Sequence, residues 1–208
     1  MQDAGAVEPT TGRRAQAKAA NRAAILEAAR RVFAQLGYDA TSVRDIIRET
    51  DLAAGTFYNY FRSKEDIFDA ISDDSARKFR PRLQAIQNAA SSFEDYLLGA
   101  FQAYFEFLAE EADTLRLLGD HRASPVGTRA DTPEVQAIFE EIRSHLEFMK
   151  GQGDVPSVDT HYLTAAAIGI ARELGEQMLS RSPIDAAGTA RFAASILLGG
   201  LSAVADKD

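Results

Sequence analysis

Apolar residues recur every three or four positions along most of the chain, and this spacing is typical of amphipathic helices. The first such run extends from about Gln16 to Leu36. It is expected to end at Gly37, because glycine readily adopts the left-handed conformation that follows a helix C-terminus. Neither an alternation of apolar and polar residues, as in a strand, nor an internal repeat stands out. The sequence therefore predicts an all-α protein.

Two short helices are expected after the first one. Thr41 or Ser42 is suited to cap the earlier of the two, which ends near Thr50. A turn then leads into the second short helix, predicted across Thr56–Phe61. One long helix followed by two short ones with a tight turn between them is the layout of a helix-turn-helix unit. In such a unit the second short helix lies in the major groove of DNA.

A larger helical bundle is predicted after this unit. Its first helix begins near Ser63, which forms the residue pair of a capping box with Asp66, and Pro81 is expected to stop or kink it. The later elements are a helix capped by Ser92 and Asp95, a helix marked by Leu115, Leu117 and Leu118, a loop at 123–131, a helix from Thr132-Pro133-Glu134 to 151–153, and two long helices at about 157–180 and 185–205.

Four aromatic rings lie within five positions of the second short helix. Phe57 and Phe61 are four residues apart and share one face, where a core is expected to form. Tyr58 and Tyr60 point elsewhere, and a tyrosine hydroxyl can bond a phosphate oxygen. Rings in a helix are most often core residues, so this interpretation depends on the surrounding motif. The predicted partners of Phe57 and Phe61 are Phe33, Leu36, Ile46 and Leu52.

Charge is distributed unevenly along the 208 residues. Residues 1–64 hold ten Lys and Arg against seven Asp and Glu, a net charge of +3. Residues 65–208 hold thirteen against twenty-four, so the whole chain has a formal charge of −8. A mildly basic N-terminal third is compatible with a nucleic-acid partner. We divide the chain into a disordered, basic-ended tail at 1–15, a helix-turn-helix domain at 16–63 and a helical domain at 64–208.

Several functional classes are disfavoured by the composition. The chain has no cysteine, which argues against a disulfide framework or a thiolate site and fits a reducing cytoplasm. Its N-terminus lacks the apolar run of a signal peptide, and no segment reaches the ~20 apolar residues of a membrane span. Three scattered histidines do not suggest a metal site, and no catalytic motif points to an enzyme or to a cofactor.

Residues 22–71 closely resemble the N-terminal domain of the TetR family of bacterial transcriptional regulators. The matching positions are Ala28-Ala29, Phe33, Gly37-Tyr38, Thr41-Ser42-Val43, Asp45-Ile46, Gly55-Thr56-Phe57-Tyr58, Tyr60-Phe61 and Ser63-Lys64-Glu65. The resemblance covers about a quarter of the chain. It implies a homodimer that binds a palindromic operator, usually as a repressor, with an activator as the open alternative. It also implies a C-terminal helical domain that binds a small organic effector, whose binding releases the operator.

The resemblance also implies positions that contact DNA. Residues Arg13, Arg14 and Lys18 resemble an arm that follows the DNA backbone or a minor groove. The further DNA-contacting positions that it implies are Thr41, Ser42, Arg44, Gly55, Thr56, Tyr58, Asn59, Tyr60 and Lys64.

Three departures from the family pattern affect these contacts. Many relatives have Ser or Thr where Ala53 stands. The missing hydroxyl removes a helix cap worth ~1 kcal/mol. Asp51 replaces a common glycine, and Ile47 replaces a common alanine. An alternative therefore stays open, in which the chain is a helical small-molecule-binding protein whose helix-turn-helix no longer binds DNA.

The C-terminal sequence predicts an apolar or amphipathic ligand without identifying it. Its aromatic residues can line a pocket, although most rings of a helical bundle form the core. The segment 165–175 is rich in small and apolar residues and is interrupted by two charged ones. The candidate ligand-binding residues are Phe101, Tyr104, Phe105, Arg116, Phe148, Arg172 and Glu173.

Small residues are frequent in the last two predicted helices, and small side chains allow helices to approach closely. In the family these two helices pair with their copies, so a homodimer through them is expected. Alanine also favours helices in general, which is the simpler explanation. The small residues are Ala165, Ala166, Ala167, Gly169, Ala171, Ala193, Ala194, Gly199, Gly200 and Ala203.

Overall fold

The structure, a computed structural model, describes residues 10–117 and 132–205, with side chains for 12–112 and 132–201. Within these ranges the chain forms eight helices and no strand, which confirms the all-α prediction. The helices are α1 Thr10–Leu36, α2 Val43–Arg48, α3 Ala54–Phe57, α4 Lys64–Ala89, α5 Phe93–Leu117, α6 Pro133–Gln152, α7 Thr160–Leu179 and α8 Ala186–Ala205.

Most of the predicted helix ends are confirmed by their caps. Gly37 follows α1 with a φ of 80°. Ser42 forms a capping box with Asp45, in which Asp45 N donates to Ser42 Oγ over 3.3 Å and Ser42 N donates to Asp45 Oδ2 over 3.0 Å. Ser63 Oγ accepts from Asp66 N over 3.1 Å at the start of α4. The same type of bond begins α5 at Ser92 and α6 at Thr132.

Four boundaries differ from the predictions. α1 begins at Thr10, so residues 10–15 are helical rather than part of a disordered tail, as Arg13, Arg14 and Ala15 favour. α3 spans Ala54–Phe57 instead of Thr56–Phe61. Pro81 lies inside α4 and does not stop it, because Phe79 and Leu83 on either side are buried. Leu115 and Leu117 belong to α5 rather than to a separate helix, while Leu118 and the predicted loop 123–131 lie outside the described residues.

The N-terminal core is small and fully packed. Ile25, Ile46, Phe57 and Ile67 are each 0% exposed, and Phe61 is also buried. Burial of aromatic and aliphatic side chains supplies the stability that helices as short as α2 and α3 lack on their own. The members of this core are Ile25, Leu26, Ala28, Ala29, Val32, Phe33, Ile46, Phe57, Phe61, Ile67, Phe68, Ala70 and Ile71.

One predicted member of this core is wrong. Leu36 is 50% exposed, whereas Tyr38, just beyond the end of α1, packs against the core instead. The Tyr38 ring centroid lies 5.4 Å from that of Phe33 and 5.1 Å from that of Phe68. The left-handed turn at Gly37 directs the chain back toward α4 and brings this ring inward.

The second core is larger and lies among α4, α5, α6, α7 and α8. α4 belongs to both cores, since Ile67 and Ile71 pack in the first and Phe79 and Leu83 in the second. The packing of the N-terminal domain therefore extends past the predicted boundary at residue 63, through the first turns of α4.

A buried ion pair also joins the two cores. Arg30 Nη1 on α1 lies 3.2 Å from Glu111 Oε2 on α5, and the two side chains are 7% and 16% exposed. Ser75 Oγ donates to the same oxygen over 3.4 Å, and Lys78 Nζ donates to Glu111 Oε1 over 3.2 Å. Three donors thus converge on one carboxylate where α1, α4 and α5 meet.

Candidate nucleic-acid interface and ligand cavity

The helix-turn-helix unit presents polar side chains on an anchored pair of short helices. Ile46 on α2 and Phe57 on α3 are completely buried and fix both helices against α1. Arg44, Gly55 and Asn59 are exposed. A side chain placed on Gly55 would meet nothing within 4 Å, so the backbone at the start of α3 is open to a partner.

The two tyrosines of this unit have different environments. Tyr58 is 53% exposed, and its ring rests edge-on against Phe57 at a centroid distance of 5.6 Å. Tyr60 is half-buried against the core, and its hydroxyl accepts a hydrogen bond from Asn21 Nδ2 over 3.3 Å. Tyr60 therefore packs more deeply than expected, although its own O–H proton remains free to donate. Thr56 is also half-buried.

Lys64 stabilises the domain itself. Its Nζ donates to the carbonyl oxygens of Tyr38 and Asp39 over 2.9 and 3.2 Å, and it lies 4.6 Å from the Tyr38 ring centroid. The expectation that Lys64 extends toward a nucleic-acid backbone is therefore corrected, because the ammonium group already binds the turn after α1.

Thr41 and Ser42 also have structural roles. Thr41 is 3% exposed, and its hydroxyl donates to Gly37 O over 2.7 Å, so this side chain faces the interior and not DNA. Ser42 is exposed, but its hydroxyl is used in the capping box with Asp45, and those bonds lower the pKa of the Asp45 carboxyl. The motif positions 41 and 42 thus shape the turn before α2.

The basic residues on the surface include some that the sequence argument missed. Arg13, Arg14 and Lys18 are exposed on the first turns of α1 rather than on a disordered arm. Arg48 and Arg62 are exposed near α2 and α3 and were not predicted. Their position in the sequence, next to the two short helices, could have indicated them as candidate DNA contacts.

A cavity of about 460 Å³ lies in the helical body, bounded by α4, α5, α6 and α7. Its size is within the usual range for small-molecule sites, and its wall is mostly apolar. Only a few of the residues that line it are polar. The lining residues are Ser72, Ser75, Ala76, Phe79, Leu83, Tyr96, Leu97, Ala100, Phe101, Tyr104, Phe107, Val135, Gln136, Ile138, Phe139, Ile142, Leu146, Leu163, Ala167, Ile168, Ala171 and Arg172.

Three predicted ligand-binding residues line this cavity: Phe101, Tyr104 and Arg172. Phe105 does not, since it is 0% exposed within the core and stacks on Phe101 at 6.1 Å. The other predictions fall elsewhere. Phe148 is 62% exposed on α6, Glu173 borders a shallow groove between α7 and α8, and Arg116 lies outside the residues whose side chains are described.

Burial changes the acidity of two tyrosines on the cavity wall. It raises the pKa of both Tyr96 and Tyr104 to about 12. The charge of Arg172 opposes this rise at Tyr104. Both hydroxyls are therefore neutral hydrogen-bond donors at physiological pH.

A polar cluster lies behind the cavity wall. Tyr96 OH, Gln87 Nε2 and His145 Nε2 are buried without a hydrogen-bond partner among the described residues. The His145 and Tyr96 rings are 4.6 Å apart, and burial lowers the pKa of His145. Gln87 faces the Tyr96 hydroxyl without reaching hydrogen-bond geometry.

The described residues form neither a metal site nor a membrane span. No group of three or more His, Asp or Glu side chains there is arranged to hold a metal ion. None of the described helices combines the length and apolar character required to cross a membrane.

The N-terminal sequence matches a known family. Residues 25–71 match the family model of bacterial regulatory proteins, tetR family. An uncharacterized HTH-type transcriptional regulator, YhgD of Bacillus subtilis, is 26% identical over 123 residues, which is 59% of this chain and 63% of YhgD. The HTH-type transcriptional repressor KstR2 of Mycolicibacterium smegmatis is 35% identical over 88 residues, or 42% of this chain and 43% of KstR2. The matches thus span less than two thirds of either relative.

Solved structures share the fold over most of the chain. The fatty acid degradation regulator FadR from Bacillus halodurans superposes with a TM-score of 0.69 at 22% identity, covering 86% of this chain and 95% of FadR. FadR from Bacillus subtilis, in complex with stearoyl-CoA, gives 0.67 at 19% identity over 85% and 97%. RolR in complex with resorcinol gives 0.62 at 18% identity over 90% of each chain. At these identities the likeness establishes the fold alone.

Proposed function

We propose that this chain is a ligand-responsive transcriptional regulator that acts as a repressor. The proposal starts from its N-terminal domain, which belongs to the TetR family of bacterial regulatory proteins. In this proposal a homodimer binds a palindromic operator through α2 and α3. A small apolar or amphipathic molecule then enters the cavity of the helical body and releases the operator. The setting is the bacterial cytoplasm.

The observation that carries the DNA-binding proposal is the anchored α2–α3 pair. Complete burial of Ile46 and Phe57 holds the two helices rigidly, while Arg44, Tyr58 and Asn59 remain exposed. An arginine and a tyrosine hydroxyl are common partners of phosphate oxygens, and an asparagine can read an adenine edge. The DNA contacts proposed for this chain are Arg13, Arg14, Lys18, Arg44, Gly55, Thr56, Tyr58, Asn59 and Tyr60, to which the structure adds Arg48 and Arg62 as candidates.

Exposed apolar side chains support a homodimer through α7 and α8. Tyr162, Phe192 and Ile196 are 78%, 57% and 49% exposed, and Gly199 and Gly200 continue the same face of α8. Such a surface is costly to leave in water, and a twofold contact between identical helix pairs would bury it. Of the predicted small residues, Ala193 and Ala194 pack inside the subunit and do not belong to this face.

The proposed link between ligand and DNA runs along α4. Ser75 lines the cavity and donates to Glu111, which pairs with Arg30 on α1. A ligand that prefers one position of α4 shifts the population of spacings between the two DNA-binding units. Operator binding requires these units to lie about one DNA turn apart, roughly 34–36 Å.

Two observations favour the alternative of a ligand-binding protein without DNA binding. Lys64 is occupied by the carbonyls of Tyr38 and Asp39, and Ala53 provides no side-chain cap for α3. Both remove polar groups from the surface that would meet DNA.

The test is a binding titration with labelled duplexes from the region upstream of the protein's own gene. We expect specific binding that weakens steeply with salt, because Lys and Arg release counterions from phosphates. Arg44→Ala should weaken binding about tenfold and lower the salt slope by about one. Arg143→Ala on α6, which removes an arginine from the helical body, serves as the matched control and should change neither value.

The outcomes separate the two functions. The regulator is supported if the wild-type protein binds DNA specifically and if Arg44→Ala and Tyr58→Ala both weaken that binding. No specific binding to any palindromic duplex, by a protein that still gains thermal stability from a cavity ligand, would select the alternative.

A further inference from the structure

We infer that the cavity binds an amphipathic acid, whose anionic group lies beside Arg172 and Tyr104 while its apolar part fills the space between α4 and α6. This inference deepens the proposed function and rests on its ligand-binding part. It concerns the chemical class of the ligand, which neither the family nor the fold determines.

Arg172 is the starting point because it is the one charged side chain among the described residues that line the cavity. A charge beside an apolar wall is costly unless it is paired. Arg172 Nε and Nη2 donate to a single oxygen of Glu173 over 3.1 and 2.8 Å. Nη1 has no partner in the described part of the chain, so the planar guanidinium retains donors for a second acceptor.

Tyr104 adds a neutral donor next to this cation. Tyr104 lines the same cavity as Arg172, and burial keeps its hydroxyl protonated by raising its pKa. A guanidinium and a phenol hydroxyl together match a carboxylate, which accepts several hydrogen bonds. No carboxylate is among the described lining residues, so no anionic group on the cavity wall competes for these donors.

The backbone brings the two residues together. A Cβ placed on Gly175 would lie 2.6 Å from Leu108 Cδ1 and 3.7 Å from Tyr104 Cε1. α7 therefore packs closely on α5 at this point, and a side chain on residue 175 would have to displace Leu108. Arg172 lies about one turn before Gly175, on a similar side of α7, and it lines the same cavity as Tyr104.

The remainder of the cavity suits an extended apolar chain. The lining residues of α4 run from Ser72 to Leu83, which is a length of about 16 Å at the helical rise per residue. The Arg172 side chain is 31% exposed, so the acid group would lie near solvent with the chain directed inward. This arrangement keeps a charged group partly hydrated, which a deeply buried site would not.

The experiment uses decanoate and decanol as probes, since they differ only in the head group. Calorimetric titrations of the full chain should show wild type binding decanoate at least about tenfold more tightly than decanol, as expected for charge-assisted hydrogen bonds. Arg172→Gln should abolish this preference and leave decanol binding within about twofold of wild type. Tyr104→Phe should reduce the preference by about fivefold.

Two further variants guard against indirect effects. Arg143→Gln removes an arginine that pairs with Glu140 on α6 and should keep the full preference. Arg172→Lys retains the charge but not the planar donors, so a reduced preference for decanoate is expected. If Arg172→Gln does not fold, the Lys and Tyr104→Phe variants decide the question together.

Equal binding of the two probes to wild type would overturn the inference while leaving the cavity as a site for neutral ligands. A decanoate preference that survives in both Arg172→Gln and Tyr104→Phe would also overturn it, because the acid would then bind elsewhere. If neither probe binds, the inference fails together with the ligand-binding part of the proposed function, and the DNA-binding part is judged by its own titration.

Discussion

The two cores of this protein are built differently, although α4 belongs to both. The N-terminal core is filled by side chains such as Ile46 and Phe57, which are 0% exposed. The core of the helical body encloses a cavity of about 460 Å³, bordered by rings such as Phe101 and Phe79. A filled core holds one conformation, because close-packed side chains have no room to rearrange. A hollow core leaves space that a ligand can occupy, so rigidity and adaptability are separated along one chain.

The largest expected effect tests this difference in packing directly. Phe57→Ala should lower the free energy of unfolding by about 3–5 kcal/mol, the usual cost of removing a fully buried ring. Phe101→Ala should cost less, because a ring that borders a void has fewer van der Waals partners to lose. Urea denaturation followed by circular dichroism measures both, and equal losses would contradict the distinction between a filled and a hollow core.

The second prediction concerns the ion pair that joins the cores. Glu111→Ala leaves the buried Arg30 with only the longer contact between its Nε and Glu27 Oε1, at 3.8 Å, and the expected loss of stability is about 3 kcal/mol. The neighbouring Glu110 is 59% exposed and pairs with Arg82, so Glu110→Ala should cost no more than about 1 kcal/mol.

Thermal denaturation of these two variants provides the comparison. If Glu111→Ala lowers the stability no more than Glu110→Ala does, the Arg30–Glu111 contact does not hold α1 against the helical body.

The third prediction uses alkaline pH to probe the hollow core. Tyr96 and Tyr104 have a pKa of about 12 in the folded protein, against 10.0 for an ordinary tyrosine. Between these values the unfolded chain releases protons that the folded body retains, so stability is complete below about pH 10 and falls as the pH rises. The loss should reach about 2–3 kcal/mol per tyrosine near pH 12.

Urea titrations at a series of alkaline pH values measure this slope. Tyr96→Phe and Tyr104→Phe should each flatten it. An unchanged slope in both variants would mean that these hydroxyls are not shielded from water by the body.

The smallest expected effect concerns the weakest element of the filled core. α3 has four residues, and its N-cap position is Ala53, whose φ of −63° and ψ of 144° suit a capping serine that is absent. Ala53→Ser should therefore raise the free energy of unfolding by about 0.5–1 kcal/mol. Ala54→Ser, one position later, cannot cap and should not stabilise the protein. A gain at Ala54 that matches the gain at Ala53 would argue against the capping mechanism.

The sequence was most informative where local chemistry determines local structure. Gly37, Ser42 and Ser63 located three helix ends correctly, because caps act over three or four residues. The errors occur where distant residues decide. Tyr38 packs on the core in place of Leu36, because the chain turns at Gly37. Lys64 donates to the carbonyl of Tyr38, a residue distant from it in the sequence.

The cavity shows the same limit. Helical spacing indicates that Tyr104 and Phe105 both point inward to some degree, but it does not indicate which of the two borders a void. That depends on how α4, α5, α6 and α7 pack, and in particular on the close approach at Gly175. Arg172 was identifiable as a charge within a small and apolar segment, although its pairing with Glu173 was not.

The contact between Lys64 and the turn after α1 has a mechanical consequence. One ammonium group binds the carbonyls of Tyr38 and Asp39, so the first turn of α4 is tied to the segment ahead of α2. A sliding of α4 along its axis would then also displace the segment that leads into the short helices. A ligand-induced shift around the cavity would then reach the opposite end of the subunit as a displacement of α2 and α3.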